Sequence, residues 1–193
     1  MTSPSPVKAE SDYTALPPDI YKLHKHVELC IDIGYLNRLP FLITISKKIN
    51  FITVRLLKNR KKENIIDELM RVRKIYTNRG FKVIRYHGDN EFDIEALKTK
   101  VCEQALEICS REEHVHKIER NIRTIKERCR SIYHSVPYRY YTKLMTSSLM
   151  EVAVQWLNAF PSDQGVSRTL SPANIVAGKA SPDLGIKRIH FGG

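Results

Sequence analysis

The clearest strand in the chain is predicted over Val27-Glu28-Leu29-Cys30-Ile31-Asp32-Ile33-Gly34. Apolar side chains alternate there with Glu28, Cys30 and Asp32, which is the two-residue period of a β-strand. Two more apolar runs rich in β-forming residues follow closely, so we expect this strand to be central and covered on both faces. A buried carboxylate is costly unless it is paired, protonated or bound to a metal. Asp32 is therefore the first candidate for a functional residue.

The elements around this strand predict a mixed sheet. We predict strands over residues 27–33, 40–45, 51–57, 81–86 and 105–109, with helices over 63–78, 93–101 and 140–160. A long helix precedes the last of these and begins at a capping box over residues 110–113. Short turns join the first three strands as an antiparallel meander, and a right-handed crossover through helix 63–78 places the fourth strand parallel to the first. The sequence thus predicts an α/β fold with a five-stranded mixed sheet flanked by helices.

Length and composition are those of one soluble domain. The chain has 193 residues, of which 42% are hydrophobic and 27% charged, ordinary values for a globular protein with its own core. We expect a flexible lead-in over residues 1–25, a core over 26–160 and a loop-rich extension over 161–193. Four cysteines without a C-x-x-C pair suggest reduced thiols in an intracellular protein. We expect no membrane span, because no apolar run approaches the ~20 residues that one needs.

The charge is strongly basic. Lysine and arginine number 32 against 21 acids, a formal net charge of +11 with a pI near 9.6. Such an excess favours a polyanionic partner, with nucleic acid first and an anionic membrane surface second. Residues 47–62 hold seven basic residues and no acid, a basic stripe that suits a phosphate backbone. A generic basic surface remains the alternative.

Three acidic residues lie at positions where the predicted sheet could bring their carboxylates close together. Asp32 ends the first strand, Asp89 follows Gly88 after the fourth, and Glu119 lies in the long helix beside the apolar Ile118. Because parallel strands end at the same edge of a sheet, we expect the two aspartates to emerge together. Taken singly, a turn residue or a surface ion pair would explain Asp89 or Glu119. Together, three carboxylates can hold two Mg²⁺ or Mn²⁺ ions, which assist phosphoryl transfer.

Five basic residues of the long helix lie off its apolar stripe and are candidates for contacts with DNA phosphates. They are Lys117, Arg120, Arg123, Lys126 and Arg130. The alternative for each is an ordinary solvated helix face.

Several segments resemble the integrase catalytic core of copia-type LTR retrotransposons, within the retroviral-integrase, RNase H-like superfamily. The resemblance spans roughly residues 27–192 and is carried by CIDIG at 30–34, LPFLITIS at 39–46, YTNRGFKV at 76–83, GDNEF at 88–92, EHVHKIERNIRTIKER at 113–128 and TLSPANIVAG at 169–178. The segment over 113–128 is the most specific, because in the family the last catalytic glutamate precedes an arginine and a basic helix.

The resemblance implies an RNase H-like fold, with residues 26–160 as the catalytic core. By position, the metal-binding catalytic triad would be Asp32, Asp89 and Glu119. The activity would be 3′-end processing and strand transfer of element DNA into a target, with two Mg²⁺ or Mn²⁺ ions as cofactors. The family also implies a homo-oligomer that acts in the nucleus after cytoplasmic assembly.

The chain departs from the family after the second aspartate, where Asp89-Asn90 runs straight into Glu91-Phe92 without the usual glycine. The family's zinc module and C-terminal DNA-binding domain are not recognisable, so we expect a core fragment. Two alternatives stay open: an RNase H-like nuclease, and a catalytically inactive nucleic-acid-binding remnant of a mobile element.

Overall fold

The computed structural model describes residues 14–88, 92 and 115–178. In this part of the chain the helices are α1 (Pro18–His24), α2 (Lys62–Asn78), α3 (Val115–Ser135), α4 (Lys143–Ala159) and α5 (Pro172–Ala177). The strands are β1 (His26–Leu36), β2 (Leu39–Ser46), β3 (Ile52–Leu56) and β4 (Lys82–His87). None of the helices in these ranges is long and apolar enough to cross a membrane.

The sheet has the order β3-β2-β1-β4. Strand β2 pairs antiparallel with β1 on one side and with β3 on the other. Strand β1 also pairs parallel with β4, which places Cys30 opposite His87. The predicted meander and crossover are confirmed. The described sheet has four strands rather than the predicted five, since the strand predicted over 105–109 lies outside the described residues. The helix predicted over 93–101 and the capping box over 110–113 lie outside them too.

Strand β1 is covered on both faces, as the two apolar runs that follow it predict. Val27, Leu29, Ile31 and Ile33 pack into one apolar cluster with α2 and α5, whereas Cys30 belongs to a second cluster with α3 and α4. Full burial of such a side chain stabilises the fold by about 1.5–3 kcal/mol. The two layers fix α3 against the sheet face that carries Asp32.

Helix α1 lies within the range that the sequence analysis assigned to a flexible lead-in. It has a proline in its first turn, where the missing amide hydrogen costs nothing. The Tyr21 hydroxyl donates to the carbonyl oxygen of Gly80 at 3.0 Å, and its ring meets Phe81 edge-on. The segment therefore packs against the end of α2 and the start of β4.

A candidate active site between β1 and α3

A cavity of about 380 Å³ lies between the second half of β1, which runs on past Asp32 to Leu36, and one flank of α3. It brings together Asp32 and Glu119, which are far apart in the sequence. Its lining consists of Asp32, Ile33, Gly34, Tyr35, Glu119, Ile122, Arg123, Lys126 and Arg130. The α3 residues recur at intervals of three and four, so they share one helix face. Two of the three predicted acids and three of the five predicted cations thus meet here.

The apolar stripe of α3 sets this arrangement. Ile118, Ile125 and Cys129 are buried against the sheet, which leaves Glu119 on the exposed flank beside them. Asp32 is half-buried, and its Oδ1 accepts a hydrogen bond from the backbone amide of Ile33 at 2.7 Å. One carboxylate is therefore held by the strand, while the other faces it from the helix.

Close packing surrounds the point where β4 ends. A Cβ atom added at Gly88 would lie 2.7 Å from Ile31 Cγ1 and 2.9 Å from Phe92 Cδ2. Gly88 thus lies against the residue that precedes Asp32. Asp89, the third predicted acid, is the next residue along the chain and lies outside the described residues.

A charged cluster around Glu28, which the sequence patterns did not single out, joins β1 to β4 four residues before Asp32. The buried His87 donates through Nε2 to Glu28 Oε2 at 2.8 Å, and the same carboxylate has Lys47 at 3.7 Å and Arg85 at 3.8 Å. Burial acts to raise the pKa of Glu28, but the hydrogen bond and the three basic neighbours outweigh it and hold the pKa below its ordinary value. The position of Glu28 on the same strand face as Asp32 was the available signal.

The remaining predicted cations, Lys117 and Arg120, line a different cavity on the other flank of α3. Lys117 is half-buried, its Nζ donates to the carbonyl oxygen of Lys47, and burial lowers its pKa. All five cations lie off the apolar stripe, and for this reason the sequence predicts them as one group. A helix has two flanks beside such a stripe, and the structure divides the set between them.

The basic stripe over residues 47–62 is partly neutralised by acids from elsewhere in the fold. Arg55 Nε donates to Glu68 Oε2 on α2 at 2.7 Å, and Lys47 lies near Glu28. Its charge is therefore less available to a polyanion than the sequence alone suggests.

The donor set of the β1–α3 cavity suits a hard cation. Carboxylate oxygens are preferred by Mg²⁺, which is commonly bound by one or two protein carboxylates together with substrate phosphates. Within the described residues no group of three or more His, Cys, Asp or Glu could hold a metal ion. Asp89 is not among those residues.

No protein-family model and no curated protein sequence matches the chain. Among solved structures, the fold is similar to the catalytic core domain of BIV integrase, with a TM-score of 0.56 and 15% sequence identity. The match covers 78% of this chain and 93% of that one. The chain has the fold of a retroviral integrase catalytic core. The mixed α/β architecture with flanking helices is therefore confirmed over the described residues, and at this level of identity the likeness concerns the fold alone.

Proposed function

We propose that the chain is the core of a DDE-type polynucleotidyl transferase, an integrase of the copia type that processes and joins the 3′ ends of retrotransposon DNA. The observation that carries the proposal is the meeting of Asp32 and Glu119 in one cavity with three cations, in a protein with an integrase-core fold. Acids and cations in one cavity suit a reaction in which metal ions and a phosphate backbone must share a site.

Asp32, Asp89 and Glu119 would hold two Mg²⁺ or Mn²⁺ ions. Bound ions of this kind activate a water or a 3′-hydroxyl and stabilise the leaving oxygen of an in-line displacement. The backbone amide that donates to Asp32 Oδ1 restrains the carboxylate, and the buried stripe of α3 fixes the position of Glu119 relative to it.

Arg123, Lys126 and Arg130 would bind the phosphates that flank the reacting bond. They occupy the same flank of α3 as Glu119, so a DNA strand bound to them passes the acids. Contacts to phosphates position the nucleic acid and carry no direct sequence information. These cations therefore determine affinity and placement rather than target choice.

The test is Mn²⁺-dependent cleavage and joining of a labelled DNA duplex that carries element ends. We expect activity from the wild type and its loss in Asp32→Asn, Asp89→Asn and Glu119→Gln. Glu127→Gln is the matched control, because Glu127 is exposed on the same helix and does not line the cavity. It should keep wild-type activity.

The products separate the proposal from its alternatives. Joined products identify a transferase, whereas cleavage without joining identifies an RNase H-like nuclease. If the wild type is inactive and all variants bind DNA with equal, salt-sensitive affinity, the protein is a nucleic-acid-binding remnant.

Assembly and location complete the proposal. We expect a homo-oligomer of the full chain on DNA ends, measurable by light scattering, and nuclear accumulation of a fluorescent fusion after cytoplasmic assembly. A strictly monomeric complex that nonetheless joins ends would contradict the first, and exclusion from the nucleus would contradict the second.

A further inference from the structure

A second cavity, of about 650 Å³, lies on the opposite flank of α3, between that helix, α4 and the segment that follows α4. Ligand pockets typically measure about 300–1,000 Å³. The cavity shares no lining residue with the β1–α3 cavity. It is therefore a separate place where a ligand could bind, and the proposed chemistry makes no use of it.

Two stacked aromatic rings form one side of this cavity. Trp156 and Phe160 are one helical turn apart at the end of α4, with ring centroids 5.8 Å apart and planes inclined by only 13°. Their exposed fractions are 37% and 40%, so a substantial aromatic surface faces solvent within a concave site. An exposed aromatic face favours a flat π-system such as a nucleobase.

The other side of the cavity is basic. Lys117, Arg120 and Arg128 line it, against the single acid Asp163. Arg120 and Arg128 are exposed and lie two helical turns apart on the same flank of α3. Their positions are about 12 Å apart along the helix axis, so the two arginines can contact different phosphates of one strand laid along the helix.

We propose that this cavity binds an unpaired segment of nucleic acid. Its bases would stack on Trp156 and Phe160, and its phosphates would contact Arg120 and Arg128. Aromatic platforms combined with a cationic groove are the recurring means of binding single strands without sequence preference. A duplex keeps its base faces stacked inside the helix and could use only the cations, so the aromatic pair selects for unpaired strands.

The site is independent of the proposed catalysis. The two cavities flank the same helix, so a duplex in the β1–α3 cavity leaves the aromatic pair open to a strand that has lost its partner. Binding here requires neither a metal ion nor Asp32, Asp89 and Glu119. It can accordingly be measured in EDTA.

The test uses the fluorescence of Trp156, the only tryptophan in the chain. The full chain is titrated with a 20-nucleotide oligo(dT) strand and with a blunt 20-base-pair duplex, both unlabelled and in EDTA. We expect saturable quenching by the single strand and little or none by the duplex. Equal quenching by both, or none by either, would overturn the proposal.

Affinity measurements on variants extend the test, with fluorescein-labelled oligo(dT) and anisotropy as the readout. Trp156→Ala should weaken binding about 5- to 150-fold, the range for loss of one base stack. Arg128→Gln should weaken it and reduce the slope of log affinity against log salt by about 0.7, one phosphate contact on a single strand. Tyr140→Ala is the control, because Tyr140 is 90% exposed and lies outside the cavity.

Thermal unfolding verifies that each variant is folded. If Trp156→Ala is not, Arg128→Gln and the quenching of the wild type still decide the question. Wild-type affinity in both Trp156→Ala and Arg128→Gln would refute the assignment. Equal quenching by an acidic peptide would assign the cavity to a protein partner instead.

Discussion

Replacing Gly88 by alanine tests how tightly the end of β4 is packed beside the proposed active site. The added methyl group would lie 2.7 Å from Ile31 Cγ1 and 2.9 Å from Phe92 Cδ2. Both neighbours are buried, each with an exposed fraction of 2%. The backbone of Gly88 does not have the positive φ that disfavours other residues, so the expected effect is steric.

The magnitude follows from the two overlaps. Carbon atoms pack best at about 3.5–4.0 Å, so both neighbours must move by most of an ångström in a close-packed interior. Overpacking of this kind typically lowers the free energy of unfolding by about 1–3 kcal/mol. For a chain of this size each 1 kcal/mol corresponds to a fall of about 2–4 °C in Tm.

Urea unfolding monitored by circular dichroism measures this loss. A double-mutant cycle with Ile31→Ala provides the control, because that change removes Cγ1 and creates room for the new methyl group. We expect Gly88→Ala to cost clearly less in the Ile31→Ala background than in the wild type, with a coupling energy above about 0.5 kcal/mol. Additive effects, or a wild-type unfolding free energy for Gly88→Ala alone, would refute the packing argument.

Three further predictions concern a partly buried carboxylate, a buried amide and a buried thiol. Because the pKa of Glu28 is lowered in the folded state, its contribution to stability is present above the unfolded pKa of about 4.3 and is lost as the pH falls through the folded pKa. The stability advantage of the wild type over Glu28→Gln should thus shrink on acidification in urea titrations at pH 7, 5 and 3.5, and a constant difference would contradict this. Asn158→Ala should lower the unfolding free energy by about 1–3 kcal/mol, because the buried Asn158 side chain accepts a hydrogen bond from the Ile52 amide at 2.9 Å and donates one to the Ile52 carbonyl oxygen at 2.7 Å. Thermal unfolding measures this loss, and an unchanged Tm would show that water replaces both hydrogen bonds. Burial raises the pKa of the Cys129 thiol to about 11. We therefore expect mass spectrometry at pH 8 to find Cys129 unmodified by iodoacetamide until urea unfolds the chain. Rapid labelling of Cys129 in the native protein would disprove its burial.

The sheet could be predicted from the sequence because its signals are local. Alternation over residues 27–33 identifies a strand, the two apolar runs after it place that strand in the middle of the sheet, and the periodic apolar residues of 63–78 identify the crossover helix. A crossover through that helix then places β4 parallel to β1, which the register of Cys30 with His87 confirms. Helix α1 was harder to predict, because it has seven residues, none of them buried, and therefore no apolar period.

The candidate site was predictable only in part. Asp32 and Glu119 could be paired because each lies beside residues that must face the core. The role of Glu28 depends on its neighbours on β4 and on Lys47, which follows β2, and strand register is not contained in the pattern of a single strand. The division of the cations between two cavities likewise required the packing of α4 against α3.

The period of α3 links the two proposed binding sites. Ile118, Ile125 and Cys129 fix one face of the helix on the sheet, and at 3.6 residues per turn the positions on either side of this face fall on opposite flanks. Glu119, Arg123 and Lys126 thus necessarily lie on one flank, and Arg120 and Arg128 on the other. A helix that had to hold only a catalytic glutamate would need cations on one flank alone. From the cations on both flanks and the stacked aromatic pair beside only the second, we infer that the two flanks of α3 would receive nucleic acid in different forms, paired beside the acids and unpaired beside the aromatic rings.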